Sequence, residues 1–155
     1  MQGEVHDENA WSLGGYSGHA GHFGVAREVW VIADSLMKHY FGRRGDFFRP
    51  ETVREFFCRQ DIVKGGDWAL GWDTPALKGS SAGGYFSRQS VGHTGFAGTS
   101  IWMDLEKDVI AVLLSNRVHP TRESPEKIRG FRPRLHDAVM AQLANLNGGF
   151  VTWER

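Results

Sequence analysis

Residues 90–120, SVGHTGFAGTSIWMDLEKDVIAVLLSNRVHP, constrain this chain more than any other stretch. Residues 99–105 alternate, with Ile101, Met103 and Leu105 on one side and Ser100, Trp102 and Asp104 on the other. Successive side chains of an extended backbone point to opposite faces, so a period of two marks a strand with two unlike sides. Glu106-Lys107-Asp108 is a polar turn, and residues 109–114 are an unbroken apolar run, as expected of a strand covered on both faces. Residues 89–94 are β-permissive and run into Gly95. The pattern predicts three consecutive antiparallel strands, the last two joined by a tight hairpin. The fold class is α+β, an antiparallel β-meander flanked by helices.

The clearest helix is predicted over residues 25–41. Val25, Val29, Ile32, Ala33, Leu36, Met37 and Tyr40 recur at the 3.6-residue period and form one stripe, and Gly42 is the stop. Gly24-Val25-Ala26 is a weak N-terminal cap. Pro50 opens a short helix with Val53, Phe56 and Phe57 inward. Pro133 is read as the first turn of a last helix, whose face of Leu135, Val139, Leu143 and Leu146 covers the sheet. Gly148-Gly149 ends that helix, and residues 150–155 form a short added strand or a loose tail. Residues 1–24 read as an ordered loop anchored by Trp11, Leu13, Tyr16 and Phe23. Residues 1–155 make one domain, with loops and helices in 1–84 and the sheet and last helix in 85–155.

Composition excludes several classes of function. Lys+Arg and Asp+Glu number 18 each, so net charge gives no case for nucleic acid or an anionic membrane surface. No apolar run approaches the ~20 residues needed to span a bilayer. One cysteine, Cys58, excludes an internal disulfide. The first residues, MQGEVHDENAW, carry no signal-peptide pattern. The compartment stays open between periplasmic or extracellular and cytoplasmic.

His93-Thr94-Gly95 closes the first predicted strand, and Gly95 and Gly98 allow another molecule to approach the backbone closely. Alone, this is a glycine-rich turn. It is followed by Leu114-Ser115-Asn116 with Pro120 beyond, and preceded by Leu70-Gly71-Trp72-Asp73, Gly18-His19-Ala20-Gly21 and Val5-His6-Asp7-Glu8-Asn9-Ala10. In this order and spacing the motifs resemble the C-terminal part of the serine β-lactamase-like hydrolases. That family includes class C β-lactamases, penicillin-binding proteins and related esterases.

The resemblance implies the C-terminal part of a β-lactamase/transpeptidase-like fold and acyl transfer on an ester, amide or peptidoglycan-type substrate. It equates His93-Thr94-Gly95 with the family's Lys/His-Thr-Gly motif and Asn116 with the end of its last strand. His93, Thr94, Gly95 and Asn116 are then substrate-binding. The backbone N–H of Phe96, after the Gly, is the catalytic contribution, an oxyanion-hole donor. No cofactor and no metal are expected.

The same chemistry needs a Ser-x-x-Lys nucleophile and base, and a Tyr-x-Asn or Ser-x-Asn element. Neither Tyr-x-Asn nor Ser-x-Asn occurs. Ser35-Leu36-Met37-Lys38 falls opposite the apolar stripe of its helix, on a solvated face. Ser124-Pro125-Glu126-Lys127 follows the Thr-Gly motif instead of preceding it, and Ser124 reads as a helix cap.

The expectation is therefore a chain lacking its nucleophile half and inactive alone. Any export signal would lie on a part outside these residues. Two alternatives are a non-catalytic binding module of the same fold and a small zinc-dependent hydrolase using His6, Asp7, His19 and His22. Without the missing half, the faces around Trp102, Ile110, Val112 and Leu114 are expected to be partly bare, which predicts self-association or pairing with another chain.

Overall fold

The computed structural model describes residues 3–60 and 62–146. The predicted stop at Gly148-Gly149 and the strand or tail over 150–155 lie outside these residues, as does the side chain of Leu146.

Three strands, β1 (Ser90–Thr94), β2 (Ser100–Asp104) and β3 (Val109–Leu113), form an antiparallel sheet in the order β1-β2-β3. This is the meander that the alternation predicted. Register places Trp102 opposite Gly92 on one side and Ala111 on the other. The indole is fully buried because both flanking positions are small. A Cβ on Gly92 would collide with the Trp102 ring and lie 2.5 Å from the Ile101 carbonyl oxygen.

The two sides of β2 feed two cores. Met103 and Leu105, with Val91 of β1, pack against Ala33 and Met37 of α2 (Ala26–Tyr40) and Val53 and Phe57 of α3 (Pro50–Phe57). Trp102 faces the other way, onto Ala82, Phe86 and Met140 of α4 (Glu126–Leu146).

Several expectations need correction. The run 109–114 is not covered on both faces: β3 is an edge strand and all five of its residues are only half-buried. Trp102 is not bare, because α4 and the segment around Phe86 cover it, whereas Leu114 is exposed and Ile110 and Val112 are half-buried. On α2, Ala33 and Met37 are buried but Val25 and Ile32 are exposed, so the buried stripe is narrower than its apolar residues. The weak cap of α2 is reinforced by Glu28, whose carboxylate accepts the Val25 N–H at 3.0 Å. Phe56 of α3 is exposed, leaving Val53 and Phe57 as its inward pair. In the N-terminal segment Trp11, Leu13, Tyr16 and Phe23 are all exposed; the anchors are Val5 and Ala10. That segment also holds a short helix, α1 (Glu8–Ser12), whose N-cap Asp7 accepts the Ala10 N–H at 2.8 Å.

The largest departure is α4. It begins at Glu126, and Pro133 lies inside it. Its buried row is not the predicted leucine face but Ile128, Arg132, His136 and Met140, each four residues on. That spacing places them along one side of a helix. An internal proline costs about 3 kcal/mol, and burial of Ile128 and Met140 together with the bonds of Arg132 and His136 offsets it. His136 Nδ1–H donates to the Ser81 carbonyl at 2.8 Å, which leaves Nε2 to accept from the Ser100 hydroxyl at 3.2 Å.

At the far end of β2 the Asp104 carboxylate is fully buried. It accepts the N–H and hydroxyl of Ser87, both at 2.7 Å, and the N–H groups of Glu106 and Lys107 at 3.1 and 3.0 Å. The Lys107 ammonium stands 3.6 Å away and donates to the Tyr85 carbonyl.

Two outcomes test this packing. Gly92→Ala forces a Cβ into the Trp102 ring and should lower stability by ~1–3 kcal/mol in urea unfolding, as overpacking of a dense core does. Burial pushes the His136 imidazole below its ordinary value of 6.5. The unfolded chain therefore binds the proton first, so this contribution is complete above pH ~6.5 and is lost as pH falls towards the folded value. His136→Gln should flatten the decline of melting temperature below that pH, relative to the parent chain.

Candidate functional site

The motif His93-Thr94-Gly95 ends β1 at an open sheet edge. In an antiparallel ladder, alternate residues turn their backbone groups to opposite sides. Gly95 donates its N–H to the Thr99 carbonyl at 2.8 Å, so odd-numbered residues face β2 and even-numbered ones face outward. At Gly92 the outward groups are taken: Asp73 N–H donates to Gly92 O at 2.7 Å, and Gly92 N–H donates to Asp73 O at 2.9 Å. At Thr94 the outward N–H and carbonyl, and at Phe96 the N–H but not the carbonyl, have no hydrogen-bond partner among the described residues.

Asp73 belongs to the Leu70-Gly71-Trp72-Asp73 segment, which turns back on itself through a bridge to Trp68. Burial raises the Asp73 carboxyl above its ordinary value, against the pull of the Thr74 N–H and of His93. The Trp68 ring lies 5.9 Å from the exposed imidazole of His93. The outward end of β1 thus presents an imidazole, an indole, the free N–H and carbonyl of Thr94 and the free N–H of Phe96 among the described residues.

Residues 95–99 form a tight turn, with Gly98 N–H bonded to Gly95 O at 3.1 Å. Gly98 has a φ of 102°, and a Cβ there would meet Ser115 and Arg117. Arginines hold the carbonyls of this turn. Arg132 Nη2 donates to Gly95 O and to Thr99 O, both at 2.7 Å. Arg117 Nε donates to Phe96 O at 2.7 Å, and its backbone N–H donates to Ala97 O at 2.9 Å. The Arg117 guanidinium also stands 4.3 Å over the Phe96 ring, whose centroid lies 5.8 Å from that of His6.

The structure therefore gathers His93, Thr94, Gly95 and the Phe96 N–H on one short segment. Asn116 is exposed, and the bonds of its neighbour Arg117 hold it beside the turn, but its own side chain makes no hydrogen bond among the described residues. Arg132, Arg117 and Trp68 were not assigned to the site from sequence, and Asp73 entered only as the end of the Leu70-Gly71-Trp72-Asp73 motif. Arg132 lies in the row Ile128, Arg132, His136 and Met140, whose mixed polarity gives no apolar periodicity by which sequence could have found it.

Neither Ser-x-x-Lys match is built for attack. Lys38 is ion-paired with Asp34 at 2.6 Å, and Ser35 Oγ accepts from Arg44 at 3.3 Å. Ser124 is exposed and lies just outside α4, where Pro125 O accepts the Arg129 N–H and so occupies the cap position that sequence assigned to Ser124.

The zinc reading also lacks a ligand set. Among the described residues no three His, Cys, Asp or Glu side chains gather to hold a metal. Both nitrogens of His19 are engaged, Nε2 with Asp7 at 3.0 Å and Nδ1 with Ser17. Asp7 is held below the usual carboxylate range by the Ala10 N–H and then by His19.

Comparison with known proteins bears on this site. A family model described as beta-lactamase matches residues 5–130. A protein of Escherichia coli named D-alanyl-D-alanine carboxypeptidase is 35% identical over 132 residues, covering 82% of this chain and 30% of its own length. A protein of Salmonella agona with the same name is 33% identical over 129 residues, covering 81% of this chain and 29% of its own. This chain thus spans under a third of the curated relatives it matches. A crystal structure of a β-lactamase from Mycobacterium bovis superposes with a TM-score of 0.61 at 21% identity, over 75% of this chain and 43% of that one. At that identity the superposition establishes the shared fold alone. No helix among the described residues is long and apolar enough to cross a membrane.

Proposed function

This chain belongs to the β-lactamase family, and on that footing we propose that it is the C-terminal part of a serine hydrolase that transfers an acyl group from an ester, amide or peptidoglycan-type substrate. One observation carries the proposal: the Phe96 N–H has no partner among the described residues and faces outward beside His93-Thr94-Gly95. In an acyl transfer, negative charge develops on the carbonyl oxygen as the nucleophile attacks. A fixed N–H aimed at that oxygen stabilises the transition state more than the ground state.

The outward peptide groups of Thr94 support the same reading, since an extended acyl chain can add to an open edge as a further strand. His93 and Trp68 flank that edge, and Asn116 lies beside the turn. The nucleophile, its base and the second oxyanion donor come from a segment outside this sequence. The names of the curated relatives favour a peptide ending in D-alanine as one substrate class. Pairing with the nucleophile-bearing half, or self-association in its absence, covers the exposed apolar residues of α2.

Two outcomes test the proposal. The purified 155-residue chain should show no covalent labelling by a penicillin or a fluorophosphonate and no ester hydrolysis. A single stoichiometric adduct on Ser35 or Ser124 by mass spectrometry would overturn that expectation. Adding a nucleophile-bearing half from a relative should restore labelling at that half's serine. In the completed enzyme, His93→Lys places a fixed ammonium charge where the imidazole stood. The ratio of penicillin to simple-ester turnover should rise at pH 7.5, and an unchanged ratio would remove His93 from substrate selection.

A further inference from the structure

The turn that carries the Phe96 N–H rests on a buried cation. Arg132 is 7% exposed. No carboxylate pairs with it among the described residues, and its Nε has no acceptor. A guanidinium cannot shed its proton in a protein, and burying an unpaired charge is costly. What offsets that cost here is a pair of peptide dipoles, the carbonyls of Gly95 and Thr99, both contacted by one nitrogen.

Gly95 O belongs to the same peptide unit as Phe96 N–H. That unit is trans, since the only cis bond among the described residues is His119–Pro120. In a trans peptide the C=O and N–H point in opposite directions. Anchoring Gly95 O on Arg132 therefore fixes the direction of the Phe96 N–H, outward from the sheet edge. Gly98 N–H donates to the same Gly95 carbonyl at 3.1 Å from within the turn, and Arg117 holds the next two carbonyls, those of Phe96 and Ala97. A cation on the carbonyl end also draws electron density from the nitrogen and strengthens the donor, as hydrogen bonds in series polarise one another.

We propose that Arg132 is a positioning residue for acyl transfer. It sets the orientation of the Gly95–Phe96 peptide and, through it, lends its charge to the Phe96 donor. The inference deepens the hydrolase reading and rests on it for its catalytic consequence, but the polarisation itself can be measured in this chain alone.

The experiment is base-catalysed hydrogen exchange of the Phe96 amide, followed by NMR in the full chain. An unbonded, polarised amide loses its proton readily. Arg132→Met should slow Phe96 exchange severalfold and move its proton resonance upfield, with Arg132→Lys in between. A role confined to holding the fold predicts the reverse, because a loosened turn exchanges at the parent rate or faster. That result would overturn the proposal. If Arg132→Met does not fold, Arg132→Gln keeps a donor to the carbonyls without the charge and gives the same comparison.

In the enzyme completed with a nucleophile-bearing half, Arg132→Met should lower kcat about 100-fold, the scale of losing one oxyanion donor. KM should stay within threefold, and Arg132→Lys should recover most of the loss. Slowed exchange together with a completed enzyme that never acylates would leave Arg132's effect standing and refute the hydrolase reading. Normal acylation with unchanged Phe96 exchange would do the opposite.

Discussion

A carboxylate with no exposed surface sets the conditions for most of this molecule. Asp104 ends the central strand, and a charge there is tolerated only if several donors replace the water it has lost. Two of its donors come from Ser87 and two from the backbone of the β2–β3 turn. The bonds to Ser87 pin the preceding segment against the sheet, and that segment in turn receives α4. Ser81 accepts from His136, and Asp137 accepts the N–H groups of Gly84 and Tyr85 at 2.6 and 3.1 Å. With α4 so placed, Arg132 meets the turn after β1. The geometry of the candidate site thus depends on a buried charge at the opposite end of the neighbouring strand.

How much of this is written locally differs from element to element. The alternation in residues 99–105 was a sufficient signal for β2, because the two cores on either side of it demand opposite faces. The unbroken run after it misled: an apolar strand at a sheet edge and one in the middle have the same composition, and only the packing around them differs. In α4 the polar residues carry the burial. A row of Ile128, Arg132, His136 and Met140 has no apolar periodicity to detect, since two of its four members are charged or titratable. Proline and leucine suggested a later start and a different face. The aromatic residues of the first 24 were expected as anchors by their size alone, yet Val5 and Ala10 hold that segment.

The site was legible to a similar, partial degree. His93-Thr94-Gly95 acquires chemical meaning from its resemblance to a known motif, and the structure adds which of its backbone groups face outward. The groups that hold it could not be read in the same way. Arg132 bonds to Gly95 and Thr99 across 37 and 33 residues of sequence, and both acceptors are carbonyls, which every residue possesses. A carbonyl acceptor leaves no mark in the sequence. The same is true of Asp73, which meets Gly92 through backbone groups alone.

That backbone bridge has a consequence for how the molecule behaves in company. An uncovered border strand is a template on which a second chain can grow a ladder, and long flat ones lead to aggregation. Asp73 caps the template at Gly92 and Arg117 takes the Phe96 carbonyl, so the free ladder on the β1 side is confined to Thr94 and the N–H of Phe96. A stray strand from another molecule finds too few rungs there to register, whereas a short flexible chain end needs no more. The border is rationed by length, and that rationing separates a guest from a polymer.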